Sequence, residues 1–235
     1  VHVVFGVGNR IRLASSKDGG GTFEVHDVGA PKTLALGMRR GPRVVATKGA
    51  LVVTAVGGER GKGQDGDILA WRSTDGGRSW NGPTRVNAVV GSGREGLHAL
   101  AAAADGTVFC TWIDLRNMRS ELFGAVSHDA GATWQADRLI YRAPEQGICP
   151  CCHPSATFGP DGSLVVMWRN CLAGARDMYL ARSTDRGASF TTAEKLGLGT
   201  WVLGICPMDG STVGVGPNGR IDTVWMRAGT LYADR

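Results

Sequence analysis

The chain has 235 residues, a mass of 24.7 kDa and a formal net charge of +5. Hydrophobic residues make up 43% of it and charged residues 20%, a balance that excludes a disordered tail and is typical of a folded domain. Its arginines are scattered and form no basic run, which excludes a nucleic-acid-binding stripe, and no apolar run approaches the roughly 18 residues of a membrane-spanning helix.

Glycine is abundant, at 36 residues without a Gly-X-Y period, and this indicates many tight turns between short strands. One pattern, Ser-x-Asp-x-Gly-x-Ser/Thr-aromatic, begins at Ser16, Ser73, Ser127 and Ser183, at intervals of 57, 54 and 56 residues. Each copy predicts a hairpin turn whose aspartate accepts backbone N–H groups, whose glycine takes a positive φ and whose aromatic ring packs beneath the loop. The four aspartates are therefore predicted to be structural: Asp18, Asp75, Asp129 and Asp185.

A second turn signal lies between successive copies of the first. An Asp-Gly or Asn-Gly pair precedes an apolar, β-branched strand that closes on a tryptophan seven residues later, at Trp112, Trp168 and Trp225. Lys48-Gly49 begins a weaker version of the same unit. Each repeat thus predicts four strands, A to D, with a tight A–B turn, a longer B–C loop and the Ser-x-Asp turn between C and D; no helix is predicted.

Four-stranded meanders repeated about every 55 residues predict the blades of an all-β propeller. The Ser-x-Asp turns resemble the Asp boxes of the sialidase-like, BNR-repeat propellers, and the resemblance runs the length of the chain. It implies a six-bladed propeller in the periplasm or outside the cell; no signal peptide is visible in the sequence. The sequence predicts one domain, 1–235, incomplete at both ends, with about five blades' worth of strands. The predicted blades span 1–30, 31–87, 88–142, 143–197 and 198–235.

In such a meander the D–A and B–C loops lie at the end opposite the Asp boxes, and the D–A loops lead to the innermost strand. Sulfur and imidazole side chains collect there: Met38, His98, Cys149, Cys151, Cys152, His153, Cys206 and Met208. This soft ligand set predicts a copper(I) or zinc(II) site. A disulfide, either Cys149–Cys206 or within the Cys149/Cys151/Cys152 group, is the alternative. The other two cysteines are predicted to lie outside the site, Cys110 in a buried strand and Cys171 in a B–C loop.

Charged side chains share this end of the predicted blades, and an arginine cluster there matches a carboxylate ligand. The family resemblance implies a tyrosine nucleophile paired with a glutamate, an aspartate acid/base and three arginines that hold the substrate carboxylate. The matching candidates are Glu95, Asp67 or Asp114, and Arg39, Arg94 and Arg169. No tyrosine matches the nucleophile, because Tyr141 falls on an outer D strand and Tyr179 and Tyr232 fall on C strands, away from the inner rim.

Three functions follow from these residues. The first is an exported binding propeller whose Cys/Met/His rim holds copper or zinc or forms a redox clasp. The second is an exo-acting glycoside hydrolase that cleaves terminal sialic acid, and the third is a scaffold for protein interactions. The expected partners are a small-molecule carboxylate or glycan, or another protein.

Overall fold

The computed structural model describes residues 1–145 and 147–234. Within these ranges the chain forms nineteen β-strands and no helix, so the described part has no helix that could cross a membrane. Paired strands run antiparallel and form five separate sheets in chain order. The predicted all-β fold class, a propeller of four-stranded antiparallel blades, is confirmed.

The first sheet has three strands and the next two have five and four. The first contains β1 (His2–Val7), β2 (Arg10–Ser15) and β3 (Glu24–Gly29). The second contains β4 (Thr33–Leu34), β5 (Arg43–Ala46), β6 (Leu51–Gly58), β7 (Asp67–Ser73) and β8 (Asn81–Arg85). The third contains β9 (His98–Ala102), β10 (Val108–Asp114), β11 (Glu121–Ser127) and β12 (Arg138–Tyr141).

The last two sheets have four and three strands. The fourth contains β13 (Ser155–Phe158), β14 (Leu164–Arg169), β15 (Met178–Ser183) and β16 (Glu194–Lys195). The fifth contains β17 (Ser211–Val215), β18 (Ile221–Arg227) and β19 (Thr230–Asp234). In the middle of this series β5 packs against β9, β9 against β13 and β13 against β17. The first full strands of successive sheets therefore line a common centre, as in a propeller.

Strand β4 is an addition that the sequence did not predict. Strand β5 pairs with β6 only between Leu51 and Thr54, which leaves the far end of β6 without a partner on that side. There Thr33 and Leu34 pair with Gly58 and Gly57. The segment that leads into β5 thereby lies along the end of the sheet where the candidate site is located.

Apolar layers between neighbouring sheets hold the fold together. Because side chains alternate faces along a strand, each inner strand contributes to the layers on both of its sides. Trp112 is fully buried between the second and third sheets, Trp168 lies between the third and fourth, and Trp225 lies between the fourth and fifth. These are the tryptophans that follow the Asp-Gly and Asn-Gly turns in the sequence.

The four Ser-x-Asp turns have the hydrogen bonds that the sequence predicts. In the second copy the Ser73 hydroxyl donates to Asp75 at 2.7 Å and accepts the Gly77 N–H at 2.8 Å. Asp75 also accepts the backbone N–H and the hydroxyl of Ser79, at 3.0 and 2.6 Å. The other copies repeat this pattern. The four aspartate carboxylates therefore have a structural role, since they accept hydrogen bonds within their own turns.

The aromatic residue of the second, third and fourth Ser-x-Asp turns packs toward the preceding sheet. Trp80 contacts the layer between the first two sheets, Trp134 the next layer and Phe190 the one after that. Phe23 is 45% exposed, contrary to the prediction that it packs beneath its loop. The reason is that no described sheet precedes the first.

Candidate functional site

A cavity of about 530 Å³ opens at the end of the molecule away from the Ser-x-Asp turns. Three connections form it: the β3–β5 segment, the β6–β7 loop and the β8–β9 segment. Its charged lining residues are Arg40, Arg60, Lys62, Asp65, Arg94 and Glu95. Four cations thus face two carboxylates, so the cavity is electropositive.

Two carboxyl groups line the cavity, and that of Glu95 accepts no hydrogen bond from the backbone of the described residues. Its side chain is 28% exposed, and its Oε2 lies 3.8 Å from Nη2 of Arg40. Burial raises the pKa of Glu95, while the charges of Arg40 and Arg94 act in the opposite direction. Arg40 Nε–H also donates to the backbone carbonyl of Glu95 at 2.6 Å, which fixes the two segments relative to each other.

Asp65 has a different role, because it shapes the β6–β7 loop. Its carboxylate accepts the backbone N–H groups of Glu59, Arg60 and Gly61 at 2.8–3.1 Å. These bonds lower the pKa of Asp65. The Nε of Arg60 also lies 3.9 Å from the Asp65 carboxylate, and both Arg60 and Lys62 line the cavity.

The guanidinium of Arg94 makes no hydrogen bond to any described residue, although its charge acts on Glu95. It follows the β8–β9 turn through Gly93, whose backbone N–H donates to the carbonyl of Gly66 at 2.9 Å. A Cβ on Gly66 would lie 2.9 Å from the Arg94 Cα atom, so the loops approach too closely for a larger residue. The backbone therefore positions Arg94, and no described residue accepts a hydrogen bond from its guanidinium.

The structure does not bring Asp67 and Asp114 into the cavity lining. Asp67 accepts the side-chain amide of Asn87 at 2.8 Å and the N–H of Gly91 at 2.7 Å. Asp114 is fully buried and accepts Trp112 Nε1–H and the guanidinium of Arg116. Both carboxylates therefore have a structural role, because their oxygen atoms already accept hydrogen bonds from neighbouring residues.

Arg39 and Arg169 also lie apart from Glu95. Arg39 is exposed with φ at +64°, and its carbonyl accepts a hydrogen bond from Arg43. Arg169 is 1% exposed and donates to the carbonyls of Arg176 and Met226, at 2.6 and 2.9 Å, with Asp209 3.4 Å away. Of the three predicted carboxylate-binding arginines, the structure places only Arg94 in the cavity.

A second cluster forms where the segments before the fourth and fifth sheets meet. Cys151 is joined to Cys206 by a disulfide, with 6.4 Å between their Cα atoms. The pairing involves Cys151 and not Cys149, so neither disulfide considered from the sequence is the one present. The thiols of Cys149 and Cys152 are 3.3 Å apart, and they lie 3.5 and 3.9 Å from Cys151 Sγ.

Positive charge surrounds these sulfurs. Arg176 Nη1 donates to Cys149 Sγ at 3.5 Å, and the buried Arg169 lies close by. The hydrogen bond between the Cys149 and Cys152 thiols, helped by the Cys151 N–H and both arginines, lowers the pKa of Cys149 to about 6. The same interaction, together with burial, raises the pKa of Cys152.

The other predicted soft ligands lie outside this group of sulfurs. His98 is buried, its Nε2 lies 3.0 Å from the hydroxyl of Thr54, and burial lowers its pKa to about 3. His153 packs against Gly210, and burial lowers its pKa to about 4. Met38 and Met208 are 59% and 40% exposed. As predicted, Cys110 is buried in a strand, β10, and Cys171 lies in the β14–β15 loop.

Sequence reasoning missed Arg60, Lys62 and Asp65 as parts of the site. All three belong to one B–C loop, Glu59-Arg60-Gly61-Lys62-Gly63-Gln64-Asp65. The signal was available, because the meander places this loop at the same end as Glu95 and it alternates cations with glycines. Its fold depends on Asp65 accepting three successive N–H groups, which the sequence pattern does not specify.

Comparison with solved structures shows the fold. An alpha-L-arabinanase from Penicillium chrysogenum, complexed with arabinobiose, is 19% identical with a TM-score of 0.59; the alignment covers 97% of this chain and 70% of that one. The NanB sialidase from Streptococcus pneumoniae is 15% identical with a TM-score of 0.59, covering 95% and 34%. An alpha-L-arabinofuranosidase of Fusarium graminearum, complexed with arabinobiose, is 16% identical with a TM-score of 0.56, covering 91% and 66%.

This chain therefore spans about a third of the sialidase and about two thirds of the two arabinan-related structures. A search of curated protein sequences gives no significant match. The model of the BNR repeat-like domain matches residues 30–232, nearly the entire chain. Together with the four Ser-x-Asp turns, this match shows that the chain belongs to the BNR repeat-like domain family.

Proposed function

We propose that the cavity around Glu95 binds a sugar acid and that Glu95 donates a proton to the glycosidic oxygen of a bound glycan. The protein is then a glycoside hydrolase-type propeller whose substrate carries a carboxylate. The observation that carries the proposal is the position of Glu95, a half-buried carboxyl with a raised pKa, beside Arg94, whose guanidinium donates to no described residue.

The charge of the cavity favours an acidic sugar over a neutral one. Arg40, Arg60, Lys62 and Arg94 contribute four positive charges against the two carboxylates of Asp65 and Glu95, so the lining has a net charge of +2 when both carboxylates are ionised. A guanidinium presents two parallel N–H groups to a carboxylate, and Arg94 has both available.

The chemistry of Glu95 suits a proton donor. A general acid is effective when its pKa lies nearer the working pH than that of an exposed carboxyl, and burial moves the pKa of Glu95 in that direction. The bond from Arg40 to its backbone carbonyl fixes the segment that carries it. Relatives of this fold include enzymes described as a sialidase and as arabinan-degrading enzymes, which supports glycosidic cleavage as the reaction class.

Two variants test the proposal. Binding of N-acetylneuraminic acid is measured by calorimetry, and hydrolysis is followed with a fluorogenic sialoside. We expect Arg94→Ala to weaken binding about 10- to 100-fold, since it removes a charge-assisted contact. Glu95→Gln should retain binding and lose hydrolysis, because it keeps the shape of the side chain and removes its proton.

Arg78→Ala is the matched control, because Arg78 is exposed in a Ser-x-Asp turn at the other end of the molecule. It should behave like the wild-type protein in both assays. If Arg94→Ala binds the sugar acid as tightly as Arg78→Ala does, the cavity is not the binding site and the proposal is wrong.

A further inference from the structure

The cysteine sulfurs that meet before the fourth and fifth sheets have the spacing of a metal site. Three sulfur atoms, those of Cys149, Cys151 and Cys152, are separated by 3.3, 3.5 and 3.9 Å. Thiolates bound to one tetrahedral ion at the usual metal–sulfur distance are separated by about 3.8 Å. The three sulfurs thus already lie near the positions that a bound ion would require.

A fourth sulfur is brought to the same place by the neighbouring sheet. Cys206, in the segment that precedes β17, is disulfide-bonded to Cys151, in the segment that precedes β13. While this bond is intact, Cys151 and Cys206 are not thiolates and only Cys149 and Cys152 can bind an ion. Once it is broken, four thiols from two sheets converge.

We propose that Cys149, Cys151, Cys152 and Cys206 form a redox-gated site for one soft d¹⁰ ion, copper(I) or zinc(II), that opens when the Cys151–Cys206 disulfide is reduced. The inference is independent of the Glu95 cavity. Sulfur ligands select such ions over magnesium or calcium, which prefer oxygen.

The gating step balances with a dithiol as reductant. One thiolate of the dithiol attacks a sulfur of the Cys151–Cys206 bond, which forms a mixed disulfide and releases the other cysteine as a thiolate. The second thiolate of the dithiol then attacks the mixed disulfide and releases the remaining cysteine. Two electrons pass to the protein, the dithiol becomes a cyclic disulfide, and the two protons of the dithiol end on Cys151 and Cys206 or in solvent. Binding of the ion then releases the remaining thiol protons.

The surroundings stabilise a cluster of thiolates. Four thiolates carry more negative charge than one ion neutralises, and Arg176 donates to Cys149 Sγ while Arg169 is buried beside the sulfurs. Cys149 and Cys152 are themselves buried, and Cys151 and Cys206 are partly buried. Asp209 is paired with Arg169, and the group of close potential ligands among the described residues consists of cysteine sulfurs alone.

The test compares the reduced and the disulfide-bonded protein, each prepared and desalted without oxygen. Zinc(II) is titrated against a chromophoric chelator, and copper(I) against bicinchoninate. We expect one ion per reduced chain and binding at least about 100-fold weaker in the disulfide form. Whichever of the two ions binds more tightly to the reduced protein identifies the metal.

Variants locate the site. Cys149→Ser, Cys152→Ser and Cys206→Ser should each weaken binding, whereas Cys171→Ser, which changes a cysteine outside the cluster, should not. Because a serine variant could fail to fold, cobalt(II) is also added to the reduced wild-type protein, where sulfur-to-metal absorption reports thiolate ligands directly. Reduced protein that binds neither ion, or a disulfide form that binds as tightly as the reduced form, would overturn the proposal.

Discussion

The Nε–H of Arg40 donates a 2.6 Å hydrogen bond to the backbone carbonyl of Glu95, 55 residues further along the chain. This bond joins the segment before β5 to the segment before β9, and the Arg40 side chain also lies 3.8 Å from the Glu95 carboxylate. A Cβ on Gly96, where φ is +74°, would lie 3.0 Å from Arg40 Cδ. The position of Glu95 is therefore set by the contact between two sheets.

The first prediction concerns the pH dependence of stability. Burial raises the pKa of Glu95 above its ordinary value of 4.5, so the folded chain holds this proton more tightly than the unfolded chain. The contribution of Glu95 to the free energy of unfolding therefore falls as the pH rises from the pKa of Glu95 in the unfolded chain to its higher pKa in the folded chain. We expect Glu95→Gln to gain stability relative to the wild type across that interval, as measured by urea unfolding at several pH values.

A constant stability difference between Glu95→Gln and the wild type at every pH would contradict this prediction. It would mean that the pKa of Glu95 is the same in the folded and unfolded chains.

The second prediction concerns the Ser-x-Asp turns. Ser127 is fully buried, and its hydroxyl accepts the Gly131 N–H while donating to Asp129, both at 2.8 Å. Ser127→Ala leaves a buried N–H without its acceptor, which we expect to cost about 1–3 kcal/mol. His128→Ala changes the exposed neighbour in the same turn and should change stability by less than about 0.5 kcal/mol. Urea unfolding midpoints compare the two, and equal midpoints would show that the serine does not hold the turn.

The third prediction separates a structural from a catalytic role for Asp114. The buried Asp114 carboxylate binds Arg116, which also binds Asp137, and it accepts the Ser92 hydroxyl and the indole N–H of Trp112. Removing one member of a buried charge network leaves its partner uncompensated, so Asp114→Ala should cost about 3–5 kcal/mol. A thermal unfolding temperature equal to that of the wild type would restore Asp114 as a candidate for catalysis.

The fourth prediction concerns the segment that carries Cys206. A Cβ on Gly210 would lie only 2.0 Å from Cε1 of His153, so Gly210→Ala must displace this ring or the backbone. We expect a loss of about 1–3 kcal/mol, as for other overpacked sites. Gly214→Ala is the control, because its Cβ would meet no atom within 4 Å. If the two variants unfold at the same denaturant concentration, the packing of His153 on Gly210 is not as described.

Much of the fold could be predicted from the sequence because its turns carry local signals. The Ser-x-Asp pattern specifies its own hydrogen bonds within a few residues, as at Ser73 and Asp75. The tryptophans that end the second strands, such as Trp112 and Trp168, were recognisable from their distance to an Asp-Gly turn. Phe23 was mispredicted because its burial depends on a neighbouring sheet and not on its own turn.

The candidate site was predicted less completely, because it depends on contacts between distant loops. Glu95 and Arg94 were selected from their position at one end of the meander, but the partnership with Arg40 arises only when two sheets pack. Equivalent positions in successive repeats suggested Cys149 as the partner of Cys206. The turn through Pro150 instead brings Cys151 to Cys206, a detail of loop geometry that register alone does not fix.

The proposed function is tested most directly by comparing N-acetylneuraminic acid with its methyl ester in calorimetric titrations of the wild-type protein. The two ligands share the sugar ring and differ in the charge of the carboxyl group. If Arg94 and its neighbouring cations hold a carboxylate, the free acid should bind and the ester should bind at least about 10-fold more weakly. Equal affinity for the two ligands, or no binding of either, would contradict the assignment of this cavity to a sugar acid.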